Sequence, residues 1–511
     1  MIFKKKSLKI LFVATEAAPF ARVGGMGSVM HDLPVALANL GNDVRLFIPK
    51  YLGVGKGMKL TEEIKGLEVP TENKEKEKFF NCDIWKWQTE GKKEDSVTTY
   101  FLDNQEYFGS RANIYGYADD PLRWALLSRG ALEFLKSSEW MPDIIVSNDW
   151  HTGFLPNYLK SYYADLPKFK DVSSIFCIHN LHFQGNFRHK YAEEKDLDEG
   201  LSLIPAFEDP KLLQINGMKR GIIYSDAINT VSPTYAKEIL TPELGEGLDN
   251  LLNERKEDLF GIINGIDYRV WGINADKLLA SNFSANDLEK RIKNRKKLVE
   301  DLNLEITDET FIIGILSRMS AQKGFDLLNP VLKSLLRELD IALVIVGEGD
   351  PRYMEFFNEL SEKFPKRVSV NFRFDPYLPH LVFAGVDSVL IPSKFEPSGL
   401  TQMEAMHYGA VPIVRKTGGL ADTVVDYRQE DKESNGFVFC KFDSFSMLIS
   451  VMRAYENFRN KSVWTRLQKA GMKRDFSWNR SAKEYMVLFN KVKSLPKSNI
   501  LTPKGDNAPI N

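Results

Sequence analysis

Two series of short, near-continuously apolar segments, each followed by a helix-like stretch, predict an α/β chain built from two doubly wound parallel sheets. The first series is ILFVAT (10–15), DVRLFIP (43–49), DIIVSND (143–149), SSIFCIHN (173–180) and AINTVS (227–232). The second is TFIIGILS (310–317), ALVIVGEG (342–349), VSVNF (368–372), SVLIPS (388–393) and VPIVR (411–415). Strands apolar on both faces belong to parallel sheets covered by helices on both sides. A chain of 511 residues also exceeds what a single core sustains.

The strand–helix rhythm lapses around NGIDYRVWGINADK, which places an expected first domain at 1–268 and a second at 269–476. The charged stretch TEEIKGLEVPTENKEKEK (61–78) reads as a solvated excursion of the first domain. The end of the chain, 496–511, has the composition of a disordered tail. In open parallel sheets ligands sit at the carboxyl ends of strands, where strand order reverses, so two such domains facing each other would form a deep cleft.

Composition excludes several classes of function. The chain is 43% hydrophobic and 27% charged with a net charge of −1, which offers no global field for nucleic acid. The basic run KRIKNRKK (290–297) reads as an exposed helix face. Three dispersed cysteines, Cys82, Cys177 and Cys440, form neither a metal spacing nor a disulfide framework, and a reducing, cytoplasmic location is expected. The start, MIFKKKSLKILFVATEAAPF, mimics a signal peptide, but its short apolar run reads better as a buried first strand. No segment approaches a membrane span, and no membrane partner is expected.

Along the chain, the chemistry-bearing residues follow strands. ARVGGMGSVMHDLP (21–34) follows the first strand and opens an amphipathic helix, and its glycines let backbone N–H groups approach an anion at the helix start. A plain strand-to-helix turn would look the same. SNDWHTG and CIHNLHFQG place His151, His179 and His182 at strand ends, where structural hydrogen bonding competes with catalysis as an explanation. No HExxH-like arrangement exists, so no metal is expected. DLD at 196–198 lies in an acidic loop and reads as solvated charge. In the second half, SRMSAQKG carries Arg318 and Lys323 beside a strand end, a bidentate and a point-charge phosphate ligand respectively. SKFEPSGLTQMEAM brackets seven residues with Glu396 and Glu404, suited to sugar and ribose hydroxyls or to helix-start charge complementarity. TGGLADTV (417–424) supplies a second glycine-rich helix start.

Taken in order, VGGMG, NDWHTG, IHNLHFQG, INTVSPTYAKEI, GLDNLLNERKEDLFGIINGIDYRVW, SRMSAQKGFDLL, KFEPSGLTQMEAM, RKTGGLADTV and DFSWNRSAKEY resemble the bacterial glycogen synthase and starch synthase family over residues 8–490. The resemblance implies a GT-B-like pair of Rossmann-like domains and a closing helix, 477–495, that returns to the first domain. It implies transfer of glucose from ADP-glucose to the non-reducing end of an α-1,4-glucan such as glycogen, with retained configuration and no cofactor. By the same resemblance, Gly24 and Gly25 would approach the donor diphosphate, and Arg318 and Lys323 would stabilise the leaving nucleoside diphosphate. Gly418, Gly419 and Leu420 would cradle it through backbone N–H groups. Glu396 would hold glucose hydroxyls, with His179, Asp149 and Asn264 near the sugar, Phe374 near the base and Glu404 on the ribose. The family usually has Lys where this chain has Arg22, often Asp at Ser28 and frequently Cys at Ser398. Arg22 is therefore an expected donor-side residue with altered reach. A UDP-glucose-dependent transferase and a non-catalytic glucan-binding relative are the competing readings.

Overall fold

The computed structural model describes residues 7–72, 78–88, 97–185, 198–373 and 375–495. Phe374, Asp196, the charged residues 73–77 and the tail 496–511 lie outside them. The chain divides into two compact units. One comprises Met1–Val231, Ala236–Ile262 and Trp478–Asn511; the other comprises Ser232–Tyr235 and Ile263–Ser477.

The first unit holds nine strands: β1 (Lys9–Val13), β2 (Asp43–Pro49), β3 (Thr61–Pro70), β4 (Phe79–Trp87), β5 (Thr98–Asp103), β6 (Ile144–Asn148), β7 (Ser173–Ile178), β8 (Ala227–Thr230) and β9 (Leu259–Gly261). They form one sheet ordered β3-β4-β5-β2-β1-β6-β7-β8-β9. All pairings are parallel except β3 with β4 and β4 with β5. Order reverses between β1 and β6. Alternate residues of and around β1 (Leu8, Ile10, Phe12, Ala14) share a core with Val29, Leu33 and Leu37 of helix Gly25–Asn39. The same core takes Ala482, Tyr485 and Phe489 of helix Trp478–Ser494. Trp478 Nε1 donates to Asp32 Oδ2 at 3.1 Å, and Asn229 Nδ2 donates to the Tyr485 hydroxyl at 3.0 Å, so the closing helix is held by polar as well as apolar contacts.

The second unit holds β10 (Phe311–Leu316), β11 (Ile341–Val346), β12 (Val368–Asn371), β13 (Ser388–Ile391), β14 (Val411–Arg415) and β15 (Phe437–Phe439), ordered β12-β11-β10-β13-β14-β15 and parallel throughout. Its two cores follow the two faces of the sheet. Phe311, Ile313 and Ile315 enter one, whereas Ile312 and Leu316 enter the other. Period-two alternation with both faces apolar is the origin of the uninterrupted hydrophobic runs in the sequence. Here order reverses between β10 and β13.

Three expectations are corrected. The stretch read as a solvated excursion is an edge strand over Thr61–Pro70, because an edge strand facing solvent tolerates charged side chains. In the basic run 290–297, Arg291 and Arg295 are buried rather than exposed. Arg291 donates to the carbonyls of Tyr408 and Phe383 at 3.0 and 2.9 Å, and burial pushes its guanidinium down to about 10; Arg295 pairs with Asp387 at 2.6 Å. Asp198 is not solvated charge: its carboxylate takes Arg220 Nε and Nη2 at 2.9 and 2.7 Å and the Asn216 N–H at 3.0 Å.

Glycine sets how the chain leaves β6. A Cβ on Gly153 would lie 1.8 Å from the Gly217 carbonyl oxygen, and one on Gly217 would lie 2.2 Å from the Trp150 carbonyl oxygen. The segment after β6 and helix Gly217–Tyr224 therefore meet backbone to backbone. Gly153→Ala is expected to destabilise the protein by about 1–3 kcal/mol or more, since backbone must move to admit the methyl; chemical denaturation of the variant against the parent checks this.

Candidate active site

In the first unit the residues after β1 and β6 gather at the reversal of strand order. Glu16, three residues past β1 and 3% exposed, accepts the Val23 and Gly24 N–H groups on Oε2 at 2.6 and 2.9 Å. Its other oxygen accepts the Tyr115 hydroxyl at 2.6 Å, and Tyr115 is also 2.7 Å from Thr15 Oγ1. The glycine-rich turn is thus folded around a buried carboxylate, which leaves Arg22 and Gly25 exposed at its rim. Gly24 caps helix Gly25–Asn39. Tyr115 is presented by a loop fixed from helix Asp120–Ser137, where buried Arg123 pairs with Asp120 and donates to the Tyr107 and Ile114 carbonyls at 2.8 and 2.9 Å. Glu16 and Tyr115 escape a sequence reading: one only interrupts an apolar run, the other reads as core.

Asp149, directly after β6, is buried with φ 55°, a conformation that non-glycine residues seldom adopt. Its Oδ1 accepts the His179 N–H at 2.7 Å and the Asn180 N–H at 3.4 Å, tying the end of β6 to the end of β7. Burial pushes its carboxyl up to about 7, opposed by those two N–H groups and assisted by the nearby Glu16 charge. His179 Nε2 lies 3.0 Å from Asn148 Oδ1. Asn148 Nδ2 donates to the Val13 and Val146 carbonyls, so Oδ1 must accept and Nε2 of His179 carries the proton. Burial holds this imidazole down to about 4, leaving it neutral at pH 7 with Nδ1 as its acceptor. His151 is packed among Tyr115, Trp124 and Trp150 and is likewise held neutral, pushed down to about 3 by burial and then by Arg123.

In the second unit the ends of β10, β13 and β14 converge. Lys323 Nζ lies 2.6 Å from Glu396 Oε2, which also accepts Ser393 Oγ at 2.9 Å. The loops carrying them are stitched together by Lys394 N–H to the Gln322 carbonyl at 2.8 Å and Gln322 Nε2 to the Phe395 carbonyl at 3.2 Å. Arg318 lies on the same loop as Lys323 and is exposed. A Cβ on Gly418 would meet the Glu396 carbonyl oxygen at 2.0 Å, and one on Gly419 the Ser398 carbonyl oxygen at 1.7 Å. These glycines admit the backbone of residues 396–398 against the helix start. The Gly419 N–H is shared between the Glu396 and Pro397 carbonyls at 3.2 Å, and the Leu420 N–H goes to Thr417 at 3.1 Å, so an anion cradled there would have to re-aim both. The Leu420 side chain is core. Asn264 is buried, and its Oδ1 has no hydrogen-bond partner among the described residues. Glu404 sits in the first turn of helix Thr401–His407.

Asp149 makes a pH prediction. The folded chain keeps its proton up to about pH 7, whereas an unfolded carboxyl loses it near pH 4. The stability from this group is present in full below that lower value and is lost as pH rises through the upper one. Asp149→Asn retains the acceptor for His179 and abolishes the slope. Its melting temperature is expected to gain on the parent between pH 5 and 8, with an upper bound of about 4 kcal/mol for three pH units.

Comparison with known proteins bears on the family of the chain. The starch synthase catalytic domain model matches residues 9–254, and the glycosyl transferases group 1 model matches residues 297–457. A glycogen synthase of Geotalea daltonii is 39% identical over 497 residues, 95% of this chain and 99% of that protein. One from Thermotoga maritima is 40% identical over 493 residues, 95% of this chain and 99% of that protein. The solved catalytic domain of starch synthase IV from Arabidopsis thaliana, bound to ADP and acarbose, superposes with a TM-score of 0.82 at 32% identity, covering 96% of this chain and all of that one. The fold is of the GT-B class, and the chain belongs to the glycogen synthase and starch synthase family of glycosyltransferases.

Proposed function

We propose that the chain transfers glucose from ADP-glucose to the non-reducing end of an α-1,4-glucan with retention of configuration. The observation that carries this reading is the Lys323–Glu396 pair at the strand-order reversal of the second unit, 2.6 Å apart and largely withdrawn from solvent. One of the three ammonium N–H groups of Lys323 is engaged by Glu396, leaving two for phosphate oxygens. Arg318, exposed on the same loop, adds a planar donor pair. Departure of ADP places new negative charge where these cations already stand, which lowers the barrier without reorganisation at the moment of reaction. Adenine as the base is supported by the ADP in the related starch synthase IV, and a glucan acceptor by its acarbose.

The remaining roles are those the family resemblance implies, with what the geometry of the described residues adds in support. Glu396, oriented by Ser393 and Lys323, accepts glucose hydroxyls. Asn264 Oδ1, an acceptor without a partner among the described residues, suits a sugar hydroxyl. His179, with its proton on Nε2, offers Nδ1 as acceptor close to the reacting sugar, and Asp149 positions it through its backbone N–H. The start of helix Gly25–Asn39, with Gly24, Gly25 and Arg22, is assigned to the donor diphosphate by the same resemblance. Glu404 takes ribose hydroxyls and Phe374 the base. Gly418, Gly419 and Leu420 act on the diphosphate through the helix start they form. No carboxylate is assigned as a nucleophile; attack from the face of the departing diphosphate, which takes up the acceptor proton, accounts for retention.

Purified protein is expected to incorporate glucose into glycogen from ADP-glucose and not from UDP-glucose, without added metal. Transfer from UDP-glucose in preference to ADP-glucose would point to the UDP-glucose-dependent reading. No transfer with intact glucan binding would point to the non-catalytic relative and make Arg22→Lys the informative variant. Lys323→Ala should lower kcat/KM about 100- to 1000-fold while leaving the melting temperature near that of the parent, as loss of one preorganised donor does elsewhere. Lys323→Arg should not restore it, because the fork geometry differs from a point charge.

A further inference from the structure

Away from the residues above, the second unit carries a cationic hollow of about 640 Å³ walled by helix Lys461–Met472 and the chain around residues 432–433. Arg466, Lys469 and Lys473 lie at i, i+3 and i+7 on one face of this helix, joined by Lys432 and Arg474. The sole acid of the lining, Glu433, is 3.7 Å from Arg474 Nη2 and already paired. The opposite helix face is apolar: Trp464, Leu467 and Met472 are buried, and Gln468 Nε2 donates to the Gly409 carbonyl at 2.8 Å, so the helix is seated on the core of its unit.

Cations near a helix C-terminus complement its dipole, which accounts for Lys469 and Lys473. It accounts for neither Lys432 nor Arg466. Arg466 Nη1 donates to the Gln429 carbonyl at 2.9 Å and the guanidinium lies 5.7 Å from the Tyr427 ring, yet its Nε and Nη2 are shielded from solvent with no acceptor among the described residues. Like charges three and four residues apart on a helix repel, and shielded N–H groups without acceptors are costly. An anion in the hollow relieves the repulsion among the lining cations.

We propose that this hollow binds a small phosphorylated molecule carrying more than one phosphate charge, such as a diphosphate or a sugar bisphosphate. Arg466, Lys469 and Lys473 supply the positive charge, with Lys432 beside them, and the hydroxyls of Ser462 and Thr465 complete the lining. The helix face from Ser462 to Lys473 spans about 16 Å, the scale of a metabolite rather than of a nucleic-acid groove. The chain's net charge of −1 supplies no long-range field for a polyanion.

The test is calorimetric titration of the full chain at low salt with inorganic phosphate, pyrophosphate and fructose 1,6-bisphosphate. Pyrophosphate is also expected to occupy the donor position, so titrations are run in the parent, in Lys323→Ala and in each with the hollow altered. Lys469→Gln/Lys473→Gln should weaken one equivalent of binding by at least about tenfold in either background, and adding Arg466→Ala should abolish it. Glucosyl transfer by the double variant should stay within about twofold of the parent, since neither lysine belongs to the transfer machinery. If Lys323→Ala loses no binding but the hollow variants do, the donor assignment fails and this one stands. Unchanged titrations in the double variant, whose exposed substitutions leave folding intact by circular dichroism, would overturn the proposal. So would a short RNA that binds more tightly than every phosphate and loses affinity in the same variant.

Discussion

Parallel pairing at the centre of each sheet is the constraint on which the rest of the molecule depends. β1 is flanked by β2 and β6, and β10 by β11 and β13. Two parallel neighbours cannot be joined by a tight hairpin, so each connection between consecutive parallel strands recrosses a sheet face through a helix and brings the chain back to the same end of the sheet. Where successive connections depart in opposite directions, the loops part and leave the carboxyl ends of two central strands open. Glu16 and Asp149 stand at one such opening, Lys323 and Glu396 at the other.

Each opening is organised around carboxylates that do different work. Glu16 accepts two backbone N–H groups and a tyrosine hydroxyl and so shapes a turn. Asp149 is desolvated enough to hold its proton to about pH 7, and binds the backbone of His179. Glu396 faces an ammonium group and a serine hydroxyl. In a water-poor setting these hydrogen bonds are directional, and they fix the groups at each opening in place. The neutral state of His179 has the same origin, because burial disfavours an imidazolium tied to Asn148.

The buried arginines show how irregular chain is held without a sheet or helix to carry it. Arg123, Arg220 and Arg291 each donate to backbone carbonyls of loops or chain ends that have no ladder partner. Five donors in a fixed plane satisfy several such carbonyls at once, which an ammonium group cannot do with the same geometry. The long segment before β10 and the loop carrying Tyr115 are anchored in this way, so an ordered site follows from basic residues that composition alone assigns to the surface.

The α/β class, the two series of strands and the strand-end motifs were legible because apolar runs and glycine-rich turns are local. The antiparallel edge β3–β4 was not, since a solvent-facing strand has the composition of a loop. Lys323, Glu396, His179 and Asp149 could be singled out from their places after strands and from the family resemblance. That Lys323 meets Glu396 across 73 residues, that Asn148 sets the tautomer of His179, and that Glu16 and Tyr115 hold the glycine turn are decided by strand order. The burial of Asp198, Arg291 and Arg295 is decided the same way. By itself the sequence determined which segments pair with the protein interior and which residue types follow each strand, because both depend on neighbours in the chain. Only the tertiary structure decided which charges lose their water and which partner each one keeps, because desolvation depends on what distant segments bring to the same place.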